Sequence, residues 1–231
     1  MIETLAPNVG ASVVRVLRNA GYDVHIPDDV TCCGQPAWNA GFATEAAKVA
    51  RTSMEALAAD DAETIVVPAG SCAAMIRVYW PELFRVTGDE DASLTATSVG
   101  EKVMELTEFL AEHSGAGPAE SPDDAEVAYH HSCHMLRELH IESAPEAVIS
   151  EAGYALSDWP MGRQCCGFGG TFSLKLPEVS VAMADEKIDA IPESATCLAG
   201  SDLSCLIHLE ARLAHRGIDL PVVHTAELLD Q

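Results

Sequence analysis

Apolar and polar positions along the chain fall into two rhythms. Residues 8–20 and 43–59 carry the three-to-four-residue recurrence of a helix face, the first closed by Gly21, while 22–26 and 63–67 have the length and composition of short strands. The same order returns further on. "AEVAYH" (125–130) reads as a short buried strand, "APEAVISEAG" (144–153) as a helix closed by Gly153, and "YALS" (154–157) as a second strand. A loop, a helix near 177–190 and a strand around 195–199 follow, leading to Cys205 at the head of another helix. Alternating strands and helices predict an α/β fold with parallel strands, whose ligands sit on the loops after the strand carboxyl ends.

The recurrence is a tandem repeat. One constant shift lays Cys32-Cys33-Gly34 onto Cys165-Cys166-Gly167 and Ser71-Cys72 onto Ser204-Cys205, so each lone cysteine follows its doublet at the same interval. "NAGYDVHIP" (19–27) resembles "EAGYALSDWP" (151–160), and "ELTEFL" (105–110) echoes "HTAELL" (224–229). Between the halves, "HSGAGPAESPDD" (113–124) is a Gly/Pro/Ser/Asp stretch with no packed element. Two pseudo-symmetric α/β halves are therefore expected, 1–112 and 125–231, joined by a linker at 113–124.

Charge removes several classes of partner. With 13 basic against 36 acidic residues and a net charge of −23, the surface suits neither nucleic acid nor an anionic membrane. No apolar run approaches the ~18 residues of a membrane-spanning helix. "MIETLAPNVG" lacks the basic start and apolar centre of a signal peptide, so the expected location is the cytoplasm. Eight cysteines in a reducing compartment point away from disulfides and toward metal or redox chemistry.

In the second half Cys133 stands well upstream of its doublet, which gives a set of four: Cys133, Cys165, Cys166 and Cys205. Four thiolates from converging loops match an iron–sulfur cluster or a structural zinc site. Vicinal cysteines suit a cluster better, because several irons are within their reach, and zinc remains the alternative. Gly167, Gly169 and Gly170 either aim backbone amides at inorganic sulfur or form a plain tight turn. His130, His131 and His134 flank Cys133 as donors or proton carriers beside the metal, or as histidines packed at a strand end. Arg137 either offsets cluster charge or lies solvated. Cys197 aligns with Thr64 and reads as a small buried hydrophobe. "GFGGTF" has Phe172 where G-x-G-x-x-G needs glycine, and neither a P-loop nor H-E-x-x-H occurs.

Two copies of Cys, some thirty residues, Cys-Cys-Gly, some forty residues and Cys resemble the cysteine-rich CCG-domain family, which includes the cysteine-rich component of heterodisulfide reductase and the glycolate oxidase iron–sulfur subunit. "CCGQPAWNAG", "PAGSCAAMI", "YHHSCHMLREL", "CCGFGGTFSLKLPEVS" and "SDLSCL" look most like the lactate-oxidising branch of that family. The resemblance implies an iron–sulfur subunit, with a 4Fe–4S type of cluster, that works with a ferredoxin-like iron–sulfur subunit and a third small subunit to oxidise L-lactate to pyruvate. It implies cluster ligands at Cys133, Cys165, Cys166 and Cys205, and at Cys32, Cys33 and Cys72 in the first half. The heterodisulfide reductase pattern ends in Cys-x-x-Cys, whereas Met75 and His208 stand at the final position here. A thiol–disulfide reductase subunit and a zinc-stabilised interaction module are the alternatives.

The register leaves the first doublet one ligand short. The interval from Cys133 to Cys165, applied backwards from Cys32, ends immediately before Met1, and the counterpart of the strand "AEVAYH" falls there too. The expectation is a native chain that starts upstream and carries a further strand and cysteine. The alternative is a degenerate first site that takes an outside ligand or none.

Overall fold

The structure, a computed structural model, describes residues 2–113 and 125–230. Apart from His113, the expected linker 113–124 lies outside the described residues. The fold is α/β with parallel strands in two sheets. Strands β1 (Ile65–Val67) and β2 (Val103–Glu105) pair in the first half. Strands β3 (Glu126–His130), β4 (Ala155–Leu156), β5 (Cys197–Gly200) and β6 (Val222–His224) form a four-stranded parallel sheet in the order β4-β3-β5-β6.

The central strand explains the order. Val127, Ala128, Tyr129 and His130 are all buried, as expected for a strand in a parallel sheet with both faces covered. Strand β3 pairs on one side with β4 and on the other with β5, in the register His130 opposite Gly200. Its carboxyl end therefore faces the turn that leads from β5 into the helix Leu203–Arg216.

The helices read from periodicity occur where expected: Pro7–Asn19, Ala43–Ala59, Ala144–Glu151 and Pro177–Asp189. Residues 22–26 are a correction. They form no strand, although their counterpart 154–157 contains β4. Strand β4 exists because β3 lies beside it, and among the described residues nothing occupies that place in the first half. Backbone of strand-like composition without a ladder partner stays irregular. The periodicity reading also omitted the continuous helical run from Gly70 through the wide turn Met75–Tyr79 to Val86, and the helix Glu90–Glu101.

Contacts divide the described chain into two compact units. One comprises Met1–Val24 with Thr107–Gln231, the other His25–Leu106. In the first, the helix Pro7–Asn19 buries Val9, Val13, Val16 and Leu17 and is tied by Ser12 and Arg15 to Asp230, one residue past the helix Thr225–Leu229. In the second, Trp80, Leu83 and Phe84 are fully buried, and the Trp80 indole donates to the Cys33 carbonyl (2.8 Å). Each unit contains one Cys-Cys-Gly triplet.

Candidate metal centres

Three strand ends assemble the second site. His130 is the last residue of β3 and Cys133 opens the short helix Cys133–Arg137 just beyond it. Cys165 and Cys166 lie in the loop after β4, and Cys205 is the third residue of the helix that follows β5. These are loops at the carboxyl ends of parallel strands, where the topology opens a crevice.

The side chains meet there. Among the described residues, His130, Cys166 and Cys205 have ligand atoms within 4.8 Å of one another, and all three are buried. Cys133 and Cys165 extend the group through a chain of thiol contacts, Cys133 to Cys165, Cys165 to Cys166 and Cys166 to Cys205. All four are free thiols. Cys165 is pulled down to about 2, first by its contact with Cys133 and then by that with Cys166. Cys133 and Cys166 are pushed up by their contacts with Cys165, Cys166 also by its contact with Cys205, and both then by burial. In Cys205 the bond from Cys166 pulls down, but burial and the charge of Asp202 win and the pKa rises. A bound cation would favour the thiolate form of all four.

The first site is thinner. Cys33 and Cys72 place their sulfurs 3.3 Å apart, while Cys32 is exposed. Contact with Cys33, then burial, raises the Cys32 pKa. Cys33 is pulled down by Cys32, but its contact with Cys72 and its burial push harder and leave it raised. Three thiols stand here against four thiols and a buried imidazole in the second site.

The glycine of each triplet has a shared reason. Gly34 and Gly167 adopt φ of +85° and +89°. A Cβ on Gly34 would lie 2.8 Å from the Ala46 carbonyl oxygen, and one on Gly167 would lie 2.6 Å from that of Ser180. Each glycine therefore lets the doublet loop press onto the following long helix, in a backbone conformation that L side chains resist. Each also turns its amide toward the first sulfur of its own doublet, Gly34 to Cys32 and Gly167 to Cys165, both at 3.5 Å. The Phe168 amide does the same for Cys166 (3.4 Å).

Lys187 is a site residue that sequence reasoning missed. It is fully buried on the helix Pro177–Asp189, and its ammonium donates to the carbonyls of Met161, Gly162 and Gln164, the loop that leads into the doublet. Its Nζ also lies 4.2 Å from the centre of the Trp159 ring. Burial lowers its pKa to about 8, and ionisation of Cys166, Cys205 or Cys165 pulls it back up. At the repeat offset its counterpart is Met54, which is buried and apolar.

The other histidines disperse. His131 pairs through Nε2 with Glu146 (2.9 Å), and His134 sets Nδ1 3.7 Å from the Cys133 sulfur. His208, at the final position of the Cys-x-x-Cys pattern, reaches the Ser180 hydroxyl (3.4 Å) and leans on the Phe168 ring. Arg137 lies on the rim of a cavity of about 400 Å³ that Cys165, Phe172, Met183 and Glu186 also line. Cys197 opens β5, partly buried, with its pKa raised by burial.

The donor set fits a bound metal or cluster. The thiols are unpaired in disulfides, and backbone amides point at the sulfurs. Both ring nitrogens of fully buried His130 lack a hydrogen bond, a state that costs roughly 1–3 kcal/mol per polar group when nothing satisfies it. A thiolate-rich set with one imidazole selects zinc or iron–sulfur chemistry over magnesium or calcium.

That combination of repeat, loops and donors is a cysteine-rich domain, and comparison with known families agrees: the CCG cysteine-rich domain model matches residues 1–77 and 127–210. The chain belongs to this family. It is similar to lactate utilization protein A of an Exiguobacterium species, with 41% identity over 99% of this chain and 93% of the relative. Lactate utilization protein A of Bacillus pumilus is 38% identical over 100% of this chain and 95% of its own length. Lactate utilization protein A 2 of Bacillus cereus is 37% identical over 96% and 91%.

Proposed function

We propose that this chain is the iron–sulfur subunit of a cytoplasmic complex that oxidises L-lactate to pyruvate, and that it takes up the electrons released. The observation that carries the reading is the convergence of Cys133, Cys165, Cys166 and Cys205 at three strand ends, in a chain whose relatives bear the name lactate utilization protein A. Oxidation of lactate to pyruvate releases two electrons and two protons, and an iron–sulfur cluster of the 4Fe–4S type, when bound, would accept electrons one at a time.

The chain's own residues prepare the place. Four thiolates would hold the cluster, and the Gly167 and Phe168 amides offset negative charge on the sulfurs. Lys187 fixes the loop that carries two of the ligands. In the first site Cys32, Cys33 and Cys72 would hold a second cluster or a zinc ion. The partners in this reading are a ferredoxin-like iron–sulfur subunit and a third small subunit, neither membrane nor nucleic acid. Among the described residues no helix is long and apolar enough to cross a membrane, and the excess of acid supports the same choice.

Purification without oxygen, followed by iron, sulfide and zinc counts and electron paramagnetic resonance, tests the cofactor. Lactate-dependent reduction of the chain with both partner subunits tests the reaction. The reading expects iron, sulfide and reduction by lactate; stoichiometric zinc without iron, or a cluster that lactate leaves oxidised in the complete complex, overturns it. The cavity beside Cys165 favours one second reading, a thiol–disulfide reductase subunit whose substrate reaches that sulfur. Disulfide-dependent oxidation of the reduced chain separates the two.

A further inference from the structure

We infer that His130 is a nitrogen ligand of the metal centre at the second site, forming with Cys166 and Cys205 the buried side of the donor set. The inference rests on the metal-binding reading of that site. Its ligand nitrogen and the two sulfurs lie within 4.8 Å of one another, and all three residues are buried. No hydrogen bond of ordinary geometry occupies the ring. Neither nitrogen makes a hydrogen bond, although buried polar groups as a rule are paired; His131, the next residue, leaves only one of its two nitrogens bare. The Gly162 carbonyl is the nearest backbone acceptor, but it makes no hydrogen bond of ordinary geometry with the ring and already accepts from the His131 amide (3.0 Å) and the Lys187 ammonium (3.0 Å).

The neighbouring histidines show the contrast. His131 has Glu146, His208 has Ser180, and His134 lies beside Cys133 on the more open side. His130 alone among these four combines complete burial, two unpaired nitrogens and two thiols within reach. Strand register fixes it there: the ladder between β3 and β5 sets His130 opposite Gly200, just ahead of the helix that carries Cys205. A metal ion would satisfy a ring nitrogen that the protein leaves bare. Because neutral imidazole replaces a thiolate charge, such a ligand raises the reduction potential of a cluster above that of an all-cysteine set.

The test uses the full chain labelled with ¹⁵N-histidine and loaded anaerobically with iron and sulfide, or with zinc if only zinc is retained. For iron, pulsed electron paramagnetic resonance of the reduced centre should show a strongly coupled histidine nitrogen. For zinc, X-ray absorption should show nitrogen mixed with sulfur in the coordination shell. His130→Cys should keep the metal, lose the nitrogen signature and lower the midpoint potential. A loaded wild-type chain with sulfur donors only, or with nitrogen coupling as weak as that of a hydrogen-bonded ring, overturns the ligand assignment and leaves the cluster reading standing. A chain that takes up neither iron nor zinc overturns both. The wild-type spectrum decides even if the variant fails to fold.

Discussion

Cys165 and Cys166 rise from a four-stranded sheet, and Cys32 and Cys33 belong with a two-stranded one. The triplets match, down to a glycine pressed against a helix carbonyl and an amide turned toward the first sulfur. What differs is the strand β3. It gives β4 something to pair with, and it delivers Cys133 and His130 to the site. Where no such strand stands among the described residues, 22–26 stays irregular and three thiols gather, one of them exposed. One element therefore governs both the width of the sheet and the completeness of the donor set.

The comparison breaks most visibly at the sulfurs. Cys166→Ser should abolish metal binding at the second site, because a hydroxyl does not replace a thiolate on iron or zinc. Cys33→Ser should remove only what the thinner first site holds. Metal counts on both variants check this, and equal losses would show that the sites are equivalent after all.

Next in size is Lys187→Met, which installs the residue type found at the matching position of the first half. Three carbonyls would lose their buried donor, and the expected cost is on the order of 3 kcal/mol, read by chemical denaturation of the metal-free chain. A cost near zero would mean that the loop before the doublet holds itself.

The glycines sharpen what the halves share. Gly34→Ala and Gly167→Ala should each destabilise by about 2 kcal/mol, from positive φ and contact with a helix carbonyl. Melting curves of the two variants should shift alike; a cost at one position only would deny the common packing role. Smallest is Cys197→Ala, a loss of about 1 kcal/mol with metal content unchanged. Loss of iron in that variant would place Cys197 among the ligands.

Much of this was legible from residue order. The helix 43–59 and the strands at 63–67 and 125–130 have local patterns strong enough to fix them, and the equal spacing of the cysteines pointed to loops that the structure brings together. The rest depends on neighbours. Residues 22–26 have the composition of a strand, but a strand needs a partner and composition does not report one. Lys187 looks like any polar residue on a helix; nothing local tells that three carbonyls surround it. His130 left a fainter signal, a polar residue closing a strand otherwise buried on both faces, and its two thiol neighbours come from segments far along the chain, after β4 and after β5.

The uneven burial of the donors gives the second site an inside and an outside. His130, Cys166 and Cys205 form a dry floor continuous with the apolar cluster of Leu198, Leu206 and Leu209, while Cys133 and Cys165 form a damp rim. A charge added to such a site is stabilised more by water at the rim than by carbon at the floor. If the site holds the proposed cluster, electrons would enter and leave across Cys133 and Cys165, and the site would be a one-sided terminal that a redox partner approaches from the rim.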